Sequence, residues 1–309
     1  MHLLVTGSSG LIGTALVDAA LARGDTVTRM VRGSSGPRPA TAGVADVAWD
    51  PAAGTVDTAA LRAAGPLDGV VHLAGAGVGD RRWSASRKGE ILDSRIRSTQ
   101  LITRTIAALD PMPPVLVSSS AVGYYGDRGD EVLTEASPPG SGFLAEVCVS
   151  WEAATAPAPE AGIRTVLLRT GIVLSPSGGA LAKQLPLFKL GLGGRIGSGR
   201  QYRSWITLDD QVAAILHCVA DTTLSGPVNA TAPRPATDAE LAKAIGSALH
   251  RPSFLAVPAP VLKLVLGTEM AGDMVLSSQR VLPAQLERSG YRFLHPDLDE
   301  AVGSQLGGS

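Results

Sequence analysis

The segment Leu3-Leu4-Val5-Thr6-Gly7-Ser8-Ser9-Gly10-Leu11-Ile12-Gly13 constrains this chain more than any other. An apolar run suited to a buried strand breaks into glycines spaced three apart, then resumes with helical periodicity. Gly7 permits a sharp turn off the strand, Gly10 admits a close ligand without a clashing Cβ, and Gly13 lets the helix pack tightly on the sheet. The N-terminus of that helix presents free N–H groups and a partial positive charge. Together these features predict a dinucleotide pyrophosphate site built from Gly7, Ser8, Ser9, Gly10, Leu11 and Ile12. A chain with 36 glycines places some at any spacing by chance, so context has to decide. Ile12, Leu16, Ala19 and Ala20 form an apolar helical face, and Gly24 stands where a C′ glycine ends a helix. The competing reading is an ordinary strand-to-helix turn.

Strand-like and helix-like segments alternate through the first half, the pattern of an α/β fold with a doubly wound parallel sheet. Strands are predicted at His2–Thr6, Thr26–Val31, Val44–Trp49, Gly69–Leu73, Val115–Ser118 and Thr165–Leu168. Ile91, Ile96, Thr99, Ile102, Ile106 and Leu109 recur at helical spacing within a long helix from about Ser86 to Leu109. A second helix over Phe143–Ala154 stops before Pro157 and Pro159. Gly178–Arg203, rich in glycine and carrying Arg195, Arg200 and Arg203, reads as a loop-rich segment facing a ligand. A further helix starts near Asp209, and Thr237-Asp238-Ala239-Glu240 is a capping box opening a helix to about Leu249. The remaining C-terminal stretch is broken by Pro258, Pro260, Pro283 and Pro296 into short helical pieces. No internal repeat appears, nor a linker that would separate two independent domains.

At 309 residues, 45% hydrophobic and 18% charged, the composition is that of a soluble globular protein with room for a large core. A formal net charge of −1 gives no reason to expect nucleic acid or an anionic membrane as partner. Cys148 and Cys218 lie far apart without a Cys-x-x-Cys, so buried, reduced thiols are expected rather than a disulfide framework or a zinc site. The first strand begins at once, with no charged segment and cleavage site ahead of it. Pro258–Leu266 comes nearest to a membrane span but is interrupted by Lys263 and prolines, short of the roughly 18 apolar residues required. A cytoplasmic protein with a small-molecule partner is expected.

The second strand ends Arg29-Met30-Val31-Arg32-Gly33-Ser34-Ser35, without the carboxylate that would hold an adenosine ribose diol. Arg32, with Arg29 as a possible partner and the hydroxyls of Ser34 and Ser35, points to the 2′-phosphate of NADP(H) rather than to NAD. The fourth strand ends His72-Leu73-Ala74-Gly75, where Leu73, Ala74 and Gly75 suit backbone passing close under a cofactor. His72 itself is expected to pack within the strand. Ser118, Ser119 and Ser120 place hydroxyls where the fifth strand emerges into the cleft. Ser120 is positioned to hydrogen-bond a substrate oxygen, and Tyr124 or Tyr125 to relay a proton. The alternative is a polar strand end followed by a turn. Lys88 and Arg95, seven apart, fall on one side of the long helix, either toward the cleft or on a solvated face. Trp83, Trp151 and Trp205 can wall a pocket or simply fill the core.

Thr-Gly-x-x-Gly-x-x-Gly, His-Leu-Ala, Ser-Ser-Ser-Ala-x-x-Tyr-Tyr-Gly and Trp205-Ile206-x-x-Asp209-Asp210 together resemble the extended short-chain dehydrogenase/reductase superfamily. Arg82-Trp83, Lys88, Ser94-Arg95, Trp151-Glu152, Arg169-Thr170-Gly171 and Gly226-Pro-Val-Asn229-Ala-Thr-Ala-Pro233 look like its atypical subgroup. That subgroup is usually described as nucleoside-diphosphate-sugar epimerase-like, sometimes as cell division inhibitor. Val257–Val302 is similar to the subgroup's C-terminal domain of unknown function. The resemblance implies a Rossmann core, residues 1–171 with 206–231, interleaved with a smaller C-terminal substrate lobe, residues 172–205 with 232–309. It also implies NADP(H) binding and sets Ser120 at the family's strand-end serine. The long helix would run beside the cofactor, making Ser94 and Arg95 contacts of cofactor or substrate, and a homodimer through paired long helices is the family analogy.

The departure is equally specific. The superfamily's catalytic Tyr-x-x-x-Lys is missing: four residues after each of the four tyrosines stand Arg128, Gly129, Ile206 and His295. The helix that should carry the pair reads Phe143-Leu144-Ala145-Glu146-Val147-Cys148. Two readings stay open: an NADP(H)-dependent oxidoreductase or epimerase-like enzyme on a small polar substrate, and a non-catalytic NADP(H)-binding redox sensor.

Overall fold

Runs such as Leu3-Leu4-Val5 are apolar at every position because both faces of their sheet are covered, the signature of a parallel sheet between helical layers. The computed structural model describes residues 1–33 and 41–307. Its main sheet contains β1 (His2–Thr6), β2 (Thr26–Arg32), β3 (Val44–Asp50), β4 (Thr55–Val56), β5 (Gly69–His72), β6 (Val115–Ala121), β7 (Arg164–Thr170) and β8 (Gly226–Ala230). The spatial order is β8-β7-β6-β5-β1-β2-β3-β4. All neighbours are parallel except β4, which returns antiparallel along β3. The order reverses between β1 and β5, and such a switch point opens a crevice at the carboxyl ends of the strands.

The helices include α1 (Leu11–Ala22), α2 (Thr58–Ala63), α3 (Ala85–Ala107), α4 (Phe143–Ala153), α5 (Pro157–Glu160), α6 (Gly179–Lys189), α7 (Leu208–Ala220), α8 (Asp238–Ala248) and α9 (Ala259–Leu266), with further ones at Thr268–Met270, Ala284–Arg288 and Leu298–Leu306. Alternate strand residues divide between the two faces. Leu3, Val5, Val71, Val117 and Val166 pack with Leu16 of α1 and Ile215 of α7. Leu4, Val70 and Leu116 pack with Ile102 and Ile106 of α3 on the other side. This is a Rossmann-type doubly wound fold.

A further core joins Leu174, Leu181, Leu185, Phe188, Trp205, Leu241, Ile245 and Val302. It corrects the loop-rich reading of Gly178–Arg203, because α6 occupies eleven of those residues. Leu181, Leu185 and Phe188 recur at helical spacing and are buried, a pattern obscured by the glycines on either side. The capping box is present: Thr237 accepts from the Glu240 N–H, and the Glu240 carboxylate accepts from that of Thr237. Among the described residues, no helix is long and apolar enough to cross a membrane.

Candidate functional site

At the switch point lies a groove of about 1280 Å³. Gly7, Ser8, Ser9 and Gly10 line it from the β1–α1 turn, Leu73 to Gly77 from the end of β5, and Arg87, Ser94 and Arg97 from α3. Arg32, Asp50 and Asp57 also line it. The turn is crowded by its own backbone. Gly7 has φ +67°, and a Cβ there would stand 2.7 Å from the Leu73 carbonyl carbon. A Cβ on Gly13 would stand 2.2 Å from the Gly7 carbonyl oxygen. No other residue type fits either position without displacing backbone, so the turn fits the pyrophosphate of a dinucleotide. Leu11 and Ile12 open α1, but their side chains turn from the groove. Leu11 lies against Gly178, and Ile12 packs on the core.

The floor of the groove is pinned by a buried hydrogen-bond chain. Thr6 Oγ1 accepts from the N–H groups of Leu73 and Ala74, at 3.1 and 3.3 Å. Its own proton therefore goes to His72 Nδ1, at 2.8 Å. That leaves Nε2–H to donate to Thr99 Oγ1 at 2.9 Å, which also accepts from the Trp151 indole at 3.0 Å. The tautomer follows from this donor count. His72 and Trp151 thus do their work inside the protein. Burial pushes the His72 pKa from 6.5 down to about 3. The unfolded chain then binds a proton that the folded one refuses, so this contribution is complete above pH 6.5 and is lost as pH falls toward 3. Between pH 6.5 and 5 wild type should lose about 2 kcal/mol of unfolding free energy through this group. Urea unfolding of His72→Gln, which keeps one acceptor and one donor, should lack that slope. An identical slope in the variant would assign it elsewhere.

At the end of β6, Ser120 Oγ donates to Glu152 Oε1 at 2.6 Å. Arg169 grips the same carboxylate through Nε and Nη2, both at 2.8 Å. Arg169 Nη1 donates to the Tyr125 hydroxyl at 3.0 Å, which donates to Asn229 Oδ1 at 2.7 Å. Tyr125 is fully buried, and burial raises its phenol pKa despite Arg169. Tyr125 is therefore corrected from acid candidate to structural side chain, its proton committed to Asn229. Tyr124, half-buried, lies under the Arg169 guanidinium, 3.4 Å from its ring centroid. Ser118 is buried with no partner for Oγ among the described residues, and Ser119 is half-buried. Glu152, Arg169 and Asn229 entered the sequence reading only as parts of motifs. A charge inside the apolar run Thr165–Arg169 was the signal that Arg169 needs a buried partner.

Phe143 and Val147, at the positions for which the sequence resemblance implies a tyrosine and a lysine, are buried. Trp83 meets Phe143 edge-on at 4.9 Å and donates its indole N–H to the Val78 carbonyl. Lys88 Nζ lies 4.6 Å from the Phe143 centroid and pairs with Glu269 at 2.6 Å. Arg95 stacks on Trp151 at 4.8 Å and donates to the carbonyls of Ala76 and Ile91. Ser94 Oγ accepts from the Ala76 N–H, so Ser94 and Arg95 both hold the β5–α3 loop. A second cavity of about 410 Å³ opens at the N-terminal end of α4, lined by Gly142, Leu144, Lys263, Asp273 and Gln279 among others.

Several cleft candidates are elsewhere. Arg203 is buried against Asp238, with Nε 3.0 Å from Oδ1, and Trp205 is fully buried with its indole donating to the Arg234 carbonyl. Each serves the core around α8. Arg195 and Arg200 are exposed and line neither cavity. Arg29 is spent on Asp46, its neighbour in register on β3, at 2.7 Å. Arg32 is exposed at the groove rim, while Ser34 and Ser35 lie outside the described residues. Cys148 and Cys218 are buried free thiols, pushed by burial up to about 11 and about 12.

Comparison with known proteins matches this geometry. The NAD dependent epimerase/dehydratase family matches residues 3–229, and a domain of unknown function, DUF1731, matches 257–304. An epimerase family protein of Mycobacterium bovis is 45% identical, the alignment covering 97% of this chain and 95% of that one. The crystal structure of the human epimerase family protein SDR39U1 (isoform 2) with NADPH superposes with a TM-score of 0.89 at 33% identity, covering 100% of both chains. A nucleoside-diphosphate sugar epimerase of Corynebacterium glutamicum gives 0.78 at 36% identity, covering 100% of this chain and 58% of that one. With its glycine turn, its switch-point groove and these relatives, the chain belongs to the NAD dependent epimerase/dehydratase family and carries the DUF1731 domain at its C-terminal end.

Proposed function

We propose that this chain binds NADP(H) in the switch-point groove and is an oxidoreductase or epimerase-like enzyme acting on a small polar substrate. The observation that carries the cofactor assignment is the end of β2: Arg32 stands at the groove rim, and Arg29 is already neutralised by Asp46. The human relative solved with NADPH supports it. Gly7 to Gly10 and the α1 N-terminus would hold the pyrophosphate, and Arg32 the 2′-phosphate. Bound NADP(H) supplies or accepts a hydride at its nicotinamide. Ser120, its proton directed to Glu152, presents lone pairs and serves as an acceptor toward a ligand hydroxyl.

The expected result for Arg32→Ala is a rise of roughly 10- to 100-fold in the NADPH dissociation constant, the worth of a charge-assisted hydrogen bond. NADH binding should stay within about threefold, since it lacks the phosphate that Arg32 would hold. Fluorescence titration decides, and equal losses for both cofactors would remove the 2′-phosphate from the assignment.

A non-catalytic NADP(H) sensor is the second reading, favoured by Phe143 and Val147 and by the commitment of the Tyr125 proton. NADPH oxidation with any member of a panel of aldehydes, ketones and dicarbonyls supports the enzyme. A panel without turnover supports the sensor.

A further inference from the structure

The near-neutral net charge conceals a local segregation. None of the 28 acidic residues lies in 161–208 or 241–268. These stretches build much of the C-terminal lobe, and they carry exposed bases, among them Lys189, Arg251 and Lys263. The first carboxylates beyond α9 are engaged elsewhere. Glu269 pairs with Lys88 at 2.6 Å, and Asp273, which shares the second cavity with Lys263, accepts from the Leu144 N–H.

The same stretches leave apolar side chains in solvent. α6 turns Leu181, Leu185 and Phe188 inward, while Leu187, and Leu190 just beyond its end, stay exposed. Exposed Leu192 follows, and Gly191 between them rests against Pro252. The strand Leu255–Val257 runs parallel to Gly194–Ile196, so Phe254 and Leu255 adjoin that turn. Pro258 then opens α9 directly, and no residue of α9 is buried. Val261, Leu264 and Val265 stand at i, i+3 and i+4, one face of the helix, and all three are exposed. Thirteen large apolar residues are exposed among the described residues, and eight of them fall between 187 and 265. Single exposed apolar residues are ordinary, whereas such a concentration marks a contact surface.

We infer that this face docks on an anionic lipid surface, with Phe254 and the exposed side of α9 entering the headgroup layer and Lys189 and Arg251 facing the headgroups. Charge selects the occupant. In a two-fold pair of chains the patch would meet itself, setting these bases against like charges where the sequence offers no carboxylate. Anionic headgroups supply the missing negative charge, and the acyl boundary beneath them takes Phe254 and Leu264, which are 76% and 78% exposed. α9 has eight residues and cannot span a bilayer, so the contact lies in the interface plane. A net charge of −1 argued against such a partner only because it averages this lobe with the carboxylates of the rest of the chain.

The experiment is flotation of the 309-residue chain with vesicles of phosphatidylcholine, alone or with about 30 mol% phosphatidylserine. Wild type should float with the anionic vesicles and stay behind with the neutral ones. Lys189→Gln/Arg251→Gln should weaken partitioning roughly 10- to 30-fold, the attraction of two bases near an anionic surface. Phe254→Ser/Leu264→Ser should weaken it at least about tenfold through lost apolar burial. All four positions are exposed, so thermal melts of both variants should match wild type. Wild type that stays behind with anionic vesicles overturns the assignment. Wild-type flotation of both variants places the contact elsewhere and overturns it as well. Loss in the charge variant alone leaves attraction without insertion, which fits an acidic protein partner and overturns the lipid reading. Absence of flotation, with a dimer in light scattering that Phe254→Ser/Leu264→Ser dissolves, makes a second copy the occupant instead.

Discussion

Arg169→Met is expected to cost about 3–5 kcal/mol of folding stability, because it strands the Glu152 carboxylate in a nearly dry site. Glu152 is only 10% exposed and Arg169 3%, and the guanidinium satisfies both carboxylate oxygens. Ser120 alone would then face the charge, and the Tyr125 hydroxyl would lose a donor. Removing both partners is a different matter. Glu152→Leu with Arg169→Met leaves no buried charge, so the pair should recover most of the loss, as apolar replacement of buried ion pairs commonly does. Urea unfolding of the two single variants and the double variant checks this. A single-variant loss below about 1 kcal/mol would mean that water reaches the carboxylate and the site is not dry.

The second large effect concerns the opening turn. Gly13→Ala should abolish measurable NADPH binding and lower stability as well, since its Cβ would fall 2.2 Å from the Gly7 carbonyl oxygen. Gly10→Ala separates the two effects. A Cβ there meets nothing nearer than the Gly7 carbonyl oxygen at 3.4 Å, so the empty protein should fold normally. The added methyl would face the proposed pyrophosphate, and NADPH affinity should fall by at least about tenfold. Thermal melts beside fluorescence titrations report both quantities. Normal affinity in Gly10→Ala would place the phosphates away from the turn.

The nucleotide half of the fold was readable from sequence because its signals are local. A buried parallel strand is a short apolar run, and Gly7 and Gly13 announce a turn that only glycine can make. The cleft was less readable because it is assembled from residues far apart in the chain. Arg203 and Trp205, beside a glycine-rich stretch, looked like cleft residues, yet Asp238 and the Arg234 carbonyl claim them from elements about thirty residues on. Tyr125 carried the right chemistry at the right strand end, and only its distance to Asn229 shows that the hydroxyl is taken. α6 was hidden by composition: flanking glycines outweighed the spacing of Leu181, Leu185 and Phe188.

The chain from Thr6 through His72 and Thr99 to Trp151 has a consequence for what this scaffold can tolerate. It anchors the backbone under the groove from below, by way of α3 and the far end of α4. The near end of α4, where Phe143 and Val147 stand at the positions for which the sequence resemblance implies a tyrosine and a lysine, contributes no bond to that chain. A reaction can thus be rewritten at one end of a helix while the other end keeps the dinucleotide's seat in register. Such insulation makes the site open to redesign: new acid or base groups introduced around Phe143 would inherit a finished cofactor seat.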